Sequence, residues 1–267
     1  MAEITALIRF KNSAATLPEV LKALQQQSRP VDRILAIDTG SSDASSDLLR
    51  SAGAAVIEWN QPYHHSMVLN FGMQHCTTPL VLCLSSHTVM QDANTVELLC
   101  RDVEDLTVCA SSIKWDNDPY YSDHINWDEL CEKGLKFGSI YSNSLGLLKR
   151  ANWANCPFDE SINGMEDYDW ALRNLRSGQH ICRRNVAFNY HRNGHNRLIR
   201  YTALTFFIAQ RYELSVTWLG HASSIKIIAL NLPGLLLGRT AATATFKTSM
   251  RRLIGALCWK FFDPNKG

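Results

Sequence analysis

Arg33-Ile34-Leu35-Ala36-Ile37-Asp38-Thr39-Gly40-Ser41-Ser42-Asp43 passes from a mostly apolar run into an acid, a glycine, two hydroxyls and a second acid. Near-continuous apolar runs mark strands buried on both faces, as in parallel sheets. Gly40 supplies a tight turn, and Ser41, Ser42 and Asp43 are residues that cap a following helix. In open α/β sheets, ligands bind beyond the carboxyl ends of the strands. Asp38 stands at such an end, where an acid either faces a ligand or caps the turn.

The same alternation extends outward from this stretch. Ile4 to Phe10 reads as a first strand, ending in Arg9, Phe10, Lys11 and Asn12. Thr16-Leu17-Pro18-Glu19 fits a capping box with proline in the first turn. Ala55 to Trp59 is a short third strand. A loop, Gln61 to Ser66, leads to a helix holding Leu69, Asn70 and Gly72. Leu80 to Leu84 is a fourth buried strand, ending in Ser85-Ser86-His87. A helix from Ala93 to Val103 and a strand from Thr107 to Lys114 continue the order. Repeated strand and helix imply an α/β fold with a mostly parallel sheet.

Asp116 to Lys136 loses this pattern and reads as a long loop, the kind that tends to be functional in a compact domain. Phe137 to Lys149 is strand-like. Gly164-Met165-Glu166-Asp167-Tyr168-Asp169 carries acids into an amphipathic helix, and Ile181 to Tyr190 is a strand ending in His191. From Arg197 onward the pattern is helical, with a final helix from Ala242 to Phe262.

The chain has 267 residues and 46% hydrophobic content, enough for one large domain with an appendage. Met1-Ala2-Glu3 leads straight into a strand, so no secretory signal is expected. Eight cysteines without a CxxC pair are expected to be reduced and mainly buried, with no disulfide and no structural zinc. The net charge of +2 is unevenly spread: residues 197–267 hold ten Lys/Arg against Glu213 and Asp263. A tail of +8 against a body of −6 points to a polyanionic surface, membrane or nucleic acid. The apolar runs fall short of the roughly 20 residues that span a bilayer. A basic amphipathic helix lying on a membrane is therefore expected, with packing on the catalytic domain as the alternative.

Four segments in one order resemble the family 2 glycosyltransferases with the GT-A fold. They are Ile8-Arg9-Phe10-Lys11-Asn12, Ile37 to Asp43, Leu69-Asn70-Phe71-Gly72, and Gly164 to Arg173 followed by His191. The second is similar to that family's Asp-x-Gly-Ser-x-Asp turn, and the fourth to its Glu-Asp helix entry. The resemblance is nearest to the rhamnosyltransferase-like group of bacterial surface-polysaccharide enzymes. It implies a GT-A catalytic domain at 1–196 and a basic amphipathic helical tail at 197–267. It further implies an inverting transferase that moves a sugar from a UDP- or dTDP-sugar to a glycan or lipid-linked acceptor. The enzyme would be cytoplasmic, peripheral on the inner membrane, with no nucleic-acid partner.

The resemblance also implies residue roles. Asp167 would be the base, with Glu166 beside it in the catalytic set; Glu166 and Asp169 are the neighbours to be distinguished from it. Arg9, Asn12, Asp38, Gly40, Ser41 and Asn70 would line the donor pocket, where Asp38 accepts from the ring N–H of uracil or thymine. The family's metal-binding Asp-x-Asp is replaced here by Ser85-Ser86-His87. His87 and His191 would then hold a divalent ion, Mn²⁺ rather than Mg²⁺ by the preference of imidazole. Without an ion, Arg9, Lys11 or Arg192 would serve as fixed cations. The aromatic loop from Trp115 to Trp127 would form acceptor or lid surface. Two other readings remain: a catalytically inactive sugar- or nucleotide-binding protein, and a dinucleotide oxidoreductase, which the missing G-x-G-x-x-G disfavours.

Overall fold

A computed structural model describes residues 1–101, 103, 106–112, 121–136, 140–191 and 197–215. The elements in chain order are β1 (Ile4–Phe10), α1 (Leu17–Gln25), β2 (Arg33–Asp38), α2 (Ser45–Ser51), β3 (Ala55–Glu58), α3 (His65–His75), β4 (Leu80–Ser85), β5 (Thr88–Met90), α4 (Thr95–Cys100) and β6 (Thr107–Ser112). They continue with β7 (His124–Ile125), α5 (Trp127–Lys133), β8 (Leu145–Lys149), α6 (Arg150–Asn155), α7 (Glu166–Arg176), β9 (His180–Arg184), β10 (Phe188–Tyr190) and α8 (Arg197–Arg211).

Eight strands form one sheet in the order β3-β2-β1-β4-β8-β6-β9-β7. β3, β2, β1, β4, β6 and β9 run one way, and only β8 and β7 run against them. This is the mostly parallel α/β sheet expected from the apolar runs. β1 and β4 are buried along nearly their whole length, because helices cover both faces of a parallel sheet. On one face Ile4, Ala6 and Ile8 meet Leu17, Val20, Leu21 and Leu24 of α1, spaced as one helical stripe.

Register brings the strand ends level. Phe10 pairs with Asp38, Arg9 with both Ile37 and Ser85, and Leu84 with Leu145. Because β8 is antiparallel, its amino end lies at the rim where β1, β2 and β4 have their carboxyl ends. The segment from Ile140 to Ser144 is thereby delivered to that rim, and the Ser85 N–H donates to the Ser144 carbonyl (2.9 Å).

Several local expectations are corrected. Thr16 does not close a capping box; its hydroxyl donates to the Ser86 carbonyl instead (2.7 Å). The span from Ile181 to Tyr190 is two strands in different sheets, since β10 pairs with β5 in a separate ribbon. Within the supposed loop 116–136, residues 124–125 are strand β7 and 127–133 are helix α5. Of the strand-like 137–149, only Leu145–Lys149 is a strand. The aromatic loop lies outside the described residues up to position 120, as do Arg192 and the final helix.

The chain divides into two compact units. The first comprises Met1–Glu129 and Gly138–Arg192, and holds the eight-stranded sheet. The second comprises Leu130–Phe137 and Asn193–Gly267. In it α8 buries Ala203, Leu204, Ile208 and Ala209. No helix among the described residues is long and apolar enough to cross a membrane.

Gly146 of β8 fixes the course of the turn before it. A Cβ there would lie 2.6 Å from Tyr141 Cε2 and 2.7 Å from the Ser142 carbonyl oxygen. Gly146→Ala must push backbone aside, and overpacking of this kind costs about 1–3 kcal/mol. Urea denaturation should show that loss; unchanged stability would mean the turn is not held against the strand.

Candidate active site

Three strand ends are fastened to one another before any ligand is considered. The Gly40 and Ser41 N–H groups donate to Asp38 Oδ1 (3.0 and 2.8 Å), and the Ser46 hydroxyl donates to Oδ2 (2.6 Å). Gly40 takes φ +96°, which the turn requires and other residues resist. Asn12, itself left-handed at φ 47°, accepts from the Ser42 N–H (2.8 Å) and donates its own N–H to Ser41 Oγ (3.1 Å). The Ala14 N–H reaches Asp43 Oδ2 (3.0 Å), and the Ser13 N–H reaches Ser45 Oγ (2.7 Å). Ser13 Oγ lies 2.9 Å from Ser86 Oγ, which ties in the end of β4.

Asp38 is therefore turn chemistry as well as a rim acid. Burial alone would raise its carboxyl, but donation from Ser46, Ser41 and Gly40 outweighs burial and holds it below the usual range. Asp38 is charged at neutral pH and stands with Gly40, Ser41 and Asn12 at the ends of β1 and β2. Arg9 leaves the end of β1 on the other side. Lys11 Nζ lies 3.9 Å from where a Gly40 Cβ would sit.

Asn70 is placed differently. Its Nδ2 donates to the Phe158 carbonyl and to Glu160 Oε1, both at 2.9 Å. Its Oδ1 accepts from Trp153 Nε1 (2.9 Å) and the Phe158 N–H (3.1 Å). Both donors and both acceptor positions of the amide are filled. Asn70 ties α3 to α6 and to the turn after it, with nothing left for a nucleotide.

The acidic pair opens α7. Gly164 (φ 108°) and Met165 (φ 62°) are both left-handed, and this sharp entry turns Glu166 and Asp167 to the rim. A helix amino end favours acids electrostatically, yet here Glu166 is buried and Asp167 half-buried. Glu166 is 4% exposed. Burial would raise it, but His65, Arg9 and the Asn143 amide together outweigh burial and keep Glu166 ionised. Arg9 Nη1 is 3.8 Å from Glu166 Oε1, beyond hydrogen-bond distance. That nitrogen is buried and finds no hydrogen-bond partner among the described residues.

Asp167 goes the other way. Burial and the Glu166 charge push its carboxyl up to about 7. Its Oδ1 accepts from the Tyr168 N–H (2.9 Å) and its Oδ2 from the Asn143 N–H (3.3 Å). Asp169 is separated from both: it is fully buried and ion-paired to Arg173 Nε (2.8 Å), which is anchored in turn on the Pro157 carbonyl. Asn143 was not among the residues expected from the sequence. The polar run Ser142-Asn143-Ser144 between Tyr141 and Leu145 was the available signal, since such runs mark turns.

His87 and His191 are joined by their backbones, the His191 N–H donating to the His87 carbonyl (3.0 Å). Their side chains are otherwise engaged. The His87 ring packs edge-on against Tyr190 with centroids 5.1 Å apart, and its Nδ1 is 3.3 Å from Ser86 Oγ. His191 Nε2 lies 3.5 Å from Glu19 Oε2. Among the described residues no group of three or more His, Cys, Asp or Glu side chains is gathered closely enough to hold a metal ion. Ser86, between Ser85 and His87, locks β4 to the β1 loop.

The titration of the pair has a consequence for stability. Asp167 is more basic folded than unfolded, so its contribution is present in acid and is lost as pH rises from about 4 to about 7. Asp167→Asn removes that loss while keeping a carbonyl acceptor. In urea denaturation its stability relative to wild type should grow between pH 4 and 7 and level off above; a constant difference would contradict the buried-acid reading.

Comparison with known proteins agrees with this architecture. The family model "Glycosyl transferase family 2" matches residues 5–155. No curated protein matches the chain. Among solved structures, the Pyrobaculum calidifontis mannosyltransferase PcManGT, in complex with GDP-Man and Mn²⁺, superposes with a TM-score of 0.68 at 15% identity, covering 97% of this chain and 87% of that one. Glucosyl-3-phosphoglycerate synthase from Mycobacterium tuberculosis, with Mn²⁺, UDP and glucosyl-3-phosphoglycerate, gives 0.56 at 14% identity over 78% and 77%. S. aureus TarS gives 0.56 at 12% identity, over 76% of this chain and 39% of TarS. These likenesses show the fold, and the matched family model shows the kinship: the chain belongs to glycosyl transferase family 2.

Proposed function

We propose that this glycosyltransferase moves a sugar from a UDP- or dTDP-sugar to a hydroxyl of a glycan or lipid-linked acceptor, with inversion. The observation that carries the reading is the acidic pair at the start of α7, Glu166 beside Arg9 and Asp167 beside it, both bonded to Asn143; burial and the Glu166 charge push Asp167 up to about 7. A base whose proton affinity matches the working pH takes a proton most effectively in the transition state. Asp167 accepts the acceptor's hydroxyl proton, the oxygen bonds to the anomeric carbon, and the sugar's bond to the diphosphate breaks with its electrons on the leaving group. A single displacement by one base inverts the anomeric centre.

Asp38, with Gly40, Ser41 and Asn12, is proposed to face the pyrimidine. Arg9 and Lys11 would offset charge developing on the diphosphate, as fixed cations do in a site that excludes water. Mn²⁺ is named with PcManGT and with the mycobacterial synthase. Among the described residues no three metal-ligating side chains gather, and no step is assigned to an ion. The order of motifs favours the rhamnosyltransferase-like, surface-polysaccharide group. The basic composition of residues 197–267 favours a place on the cytoplasmic face of a bacterial inner membrane.

The test is Asp167→Asn in the full chain with a panel of nucleotide-sugars. Turnover should fall by about 10²–10⁴, the usual worth of a general base, while nucleotide-sugar binding by thermal shift persists. Unchanged turnover would exclude Asp167 as base. Binding without turnover in the wild type across the panel would favour the inactive binding protein.

A further inference from the structure

We propose that Asn143 is the positioning residue of the acidic pair: one residue fastens both carboxylates and so fixes how Asp167 is presented to the acceptor's hydroxyl. The inference rests on the reading of Asp167 as base. Asn143 uses its two kinds of N–H on the two acids. Its backbone N–H donates to Asp167 Oδ2 (3.3 Å), and its side-chain Nδ2 donates to Glu166 Oε1 (3.4 Å). The amide can face Glu166 only this way round, because its oxygen would repel an ionised carboxylate.

The turn that carries Asn143 is braced on both sides. The Ser144 carbonyl accepts from Ser85 at the end of β4 (2.9 Å). Tyr141 stacks at a tilt on Trp170 of α7, with ring centroids 5.5 Å apart. Asn143 thus moves with both the strand end and the helix that bears the acids. It is 3% exposed, and its Oδ1 is buried without a hydrogen-bond partner among the described residues. A buried amide oxygen without a donor is unfavourable, so fold stability alone does not account for an asparagine here.

The other groups facing the pair act on it through charge rather than by bonding to both acids. Arg9 on β1 and His65 on α3 favour the ionised form of Glu166, while Cys83 on β4 faces Glu166 and Arg9 from below. Tyr141 faces Asp167 from the same turn as Asn143. His64, at the start of α3, faces Glu160 as well as Glu166. Among the described residues, only Asn143 donates a hydrogen bond to both acids. Both bonds favour the charged form of the acid they reach; the backbone bond also orients Asp167 and survives any substitution except proline.

The experiment compares pH profiles of kcat and donor KM for wild type, Asn143→Ala, Asn143→Asp and Asn143→Ser, each checked for folding by nucleotide-sugar thermal shift. Asn143→Ala should lower kcat about tenfold, a fraction of the loss of the base itself, with donor KM little changed. Asn143→Ser, which keeps a short donor, should recover part of that loss. Asn143→Asp adds a negative charge beside the pair and should move the acid limb of kcat up by about one pH unit. An unmoved acid limb in Asn143→Asp, or wild-type kcat in Asn143→Ala, would overturn the proposal. If the Asp variant does not fold, a Ser variant no more active than the Ala variant overturns it equally. Were Asp167→Asn to keep turnover, the base assignment would fall and this inference with it. If Asp167→Asn is inactive and the Asn143 profiles are unmoved, only this inference falls.

Discussion

Two carboxylates share one poorly solvated place at the start of α7, and they cannot both be charged at equal cost. That constraint organises the rim. Burial raises both the buried Glu166 and the half-buried Asp167, and their neighbours set them apart. Glu166 faces Arg9, His65 and the Asn143 amide and remains ionised; Asp167 faces Glu166 and is pushed up to about 7. One acid is thereby a fixed charge and the other a proton acceptor near neutrality. Asp169, two residues further on, is removed from the contest by Arg173.

The rest of the first unit serves to hold this division. β1 places Arg9, and β4 and the antiparallel β8 place Asn143. Left-handed Gly164 and Met165 place the acids. The hydroxyl and carboxylate bonds among Asn12, Ser13, Ser41, Ser45, Ser86 and Asp43 lock the ends of β1, β2 and β4 together. Such bonds are individually modest, but they leave the loops around the site little freedom to drift. A family that usually puts acids at the end of β4 has here a serine that is 1% exposed and bonded to the β1 loop.

Much of this was legible in the sequence, and for stated reasons. Buried parallel strands write long apolar runs, so β1, β2 and β4 and their polar ends were readable, as was the acidic entry to α7. What escaped reading depended on pairing partners that periodicity does not encode. β8 looks like any apolar strand, yet its antiparallel placement is what brings Asn143 to the rim. Asn70 carried a motif position, but its amide is consumed by Trp153, Phe158 and Glu160, contacts about ninety positions away in the chain. The Thr16 capping box failed because Thr16 lacks the extended backbone of an N-cap, and its hydroxyl is turned to donate to the Ser86 carbonyl. His87 and His191 do meet, through the hydrogen bond of their backbones.

The division of the acidic pair can be observed without any substrate. Carbon-13 titration of the side-chain carboxyls, with Asp167→Asn to assign the signal, reads the proton affinity of Asp167 directly. The account predicts one carboxyl with a midpoint near 7 that vanishes in the variant. Every aspartate titrating in its ordinary range, near about 4, would contradict it.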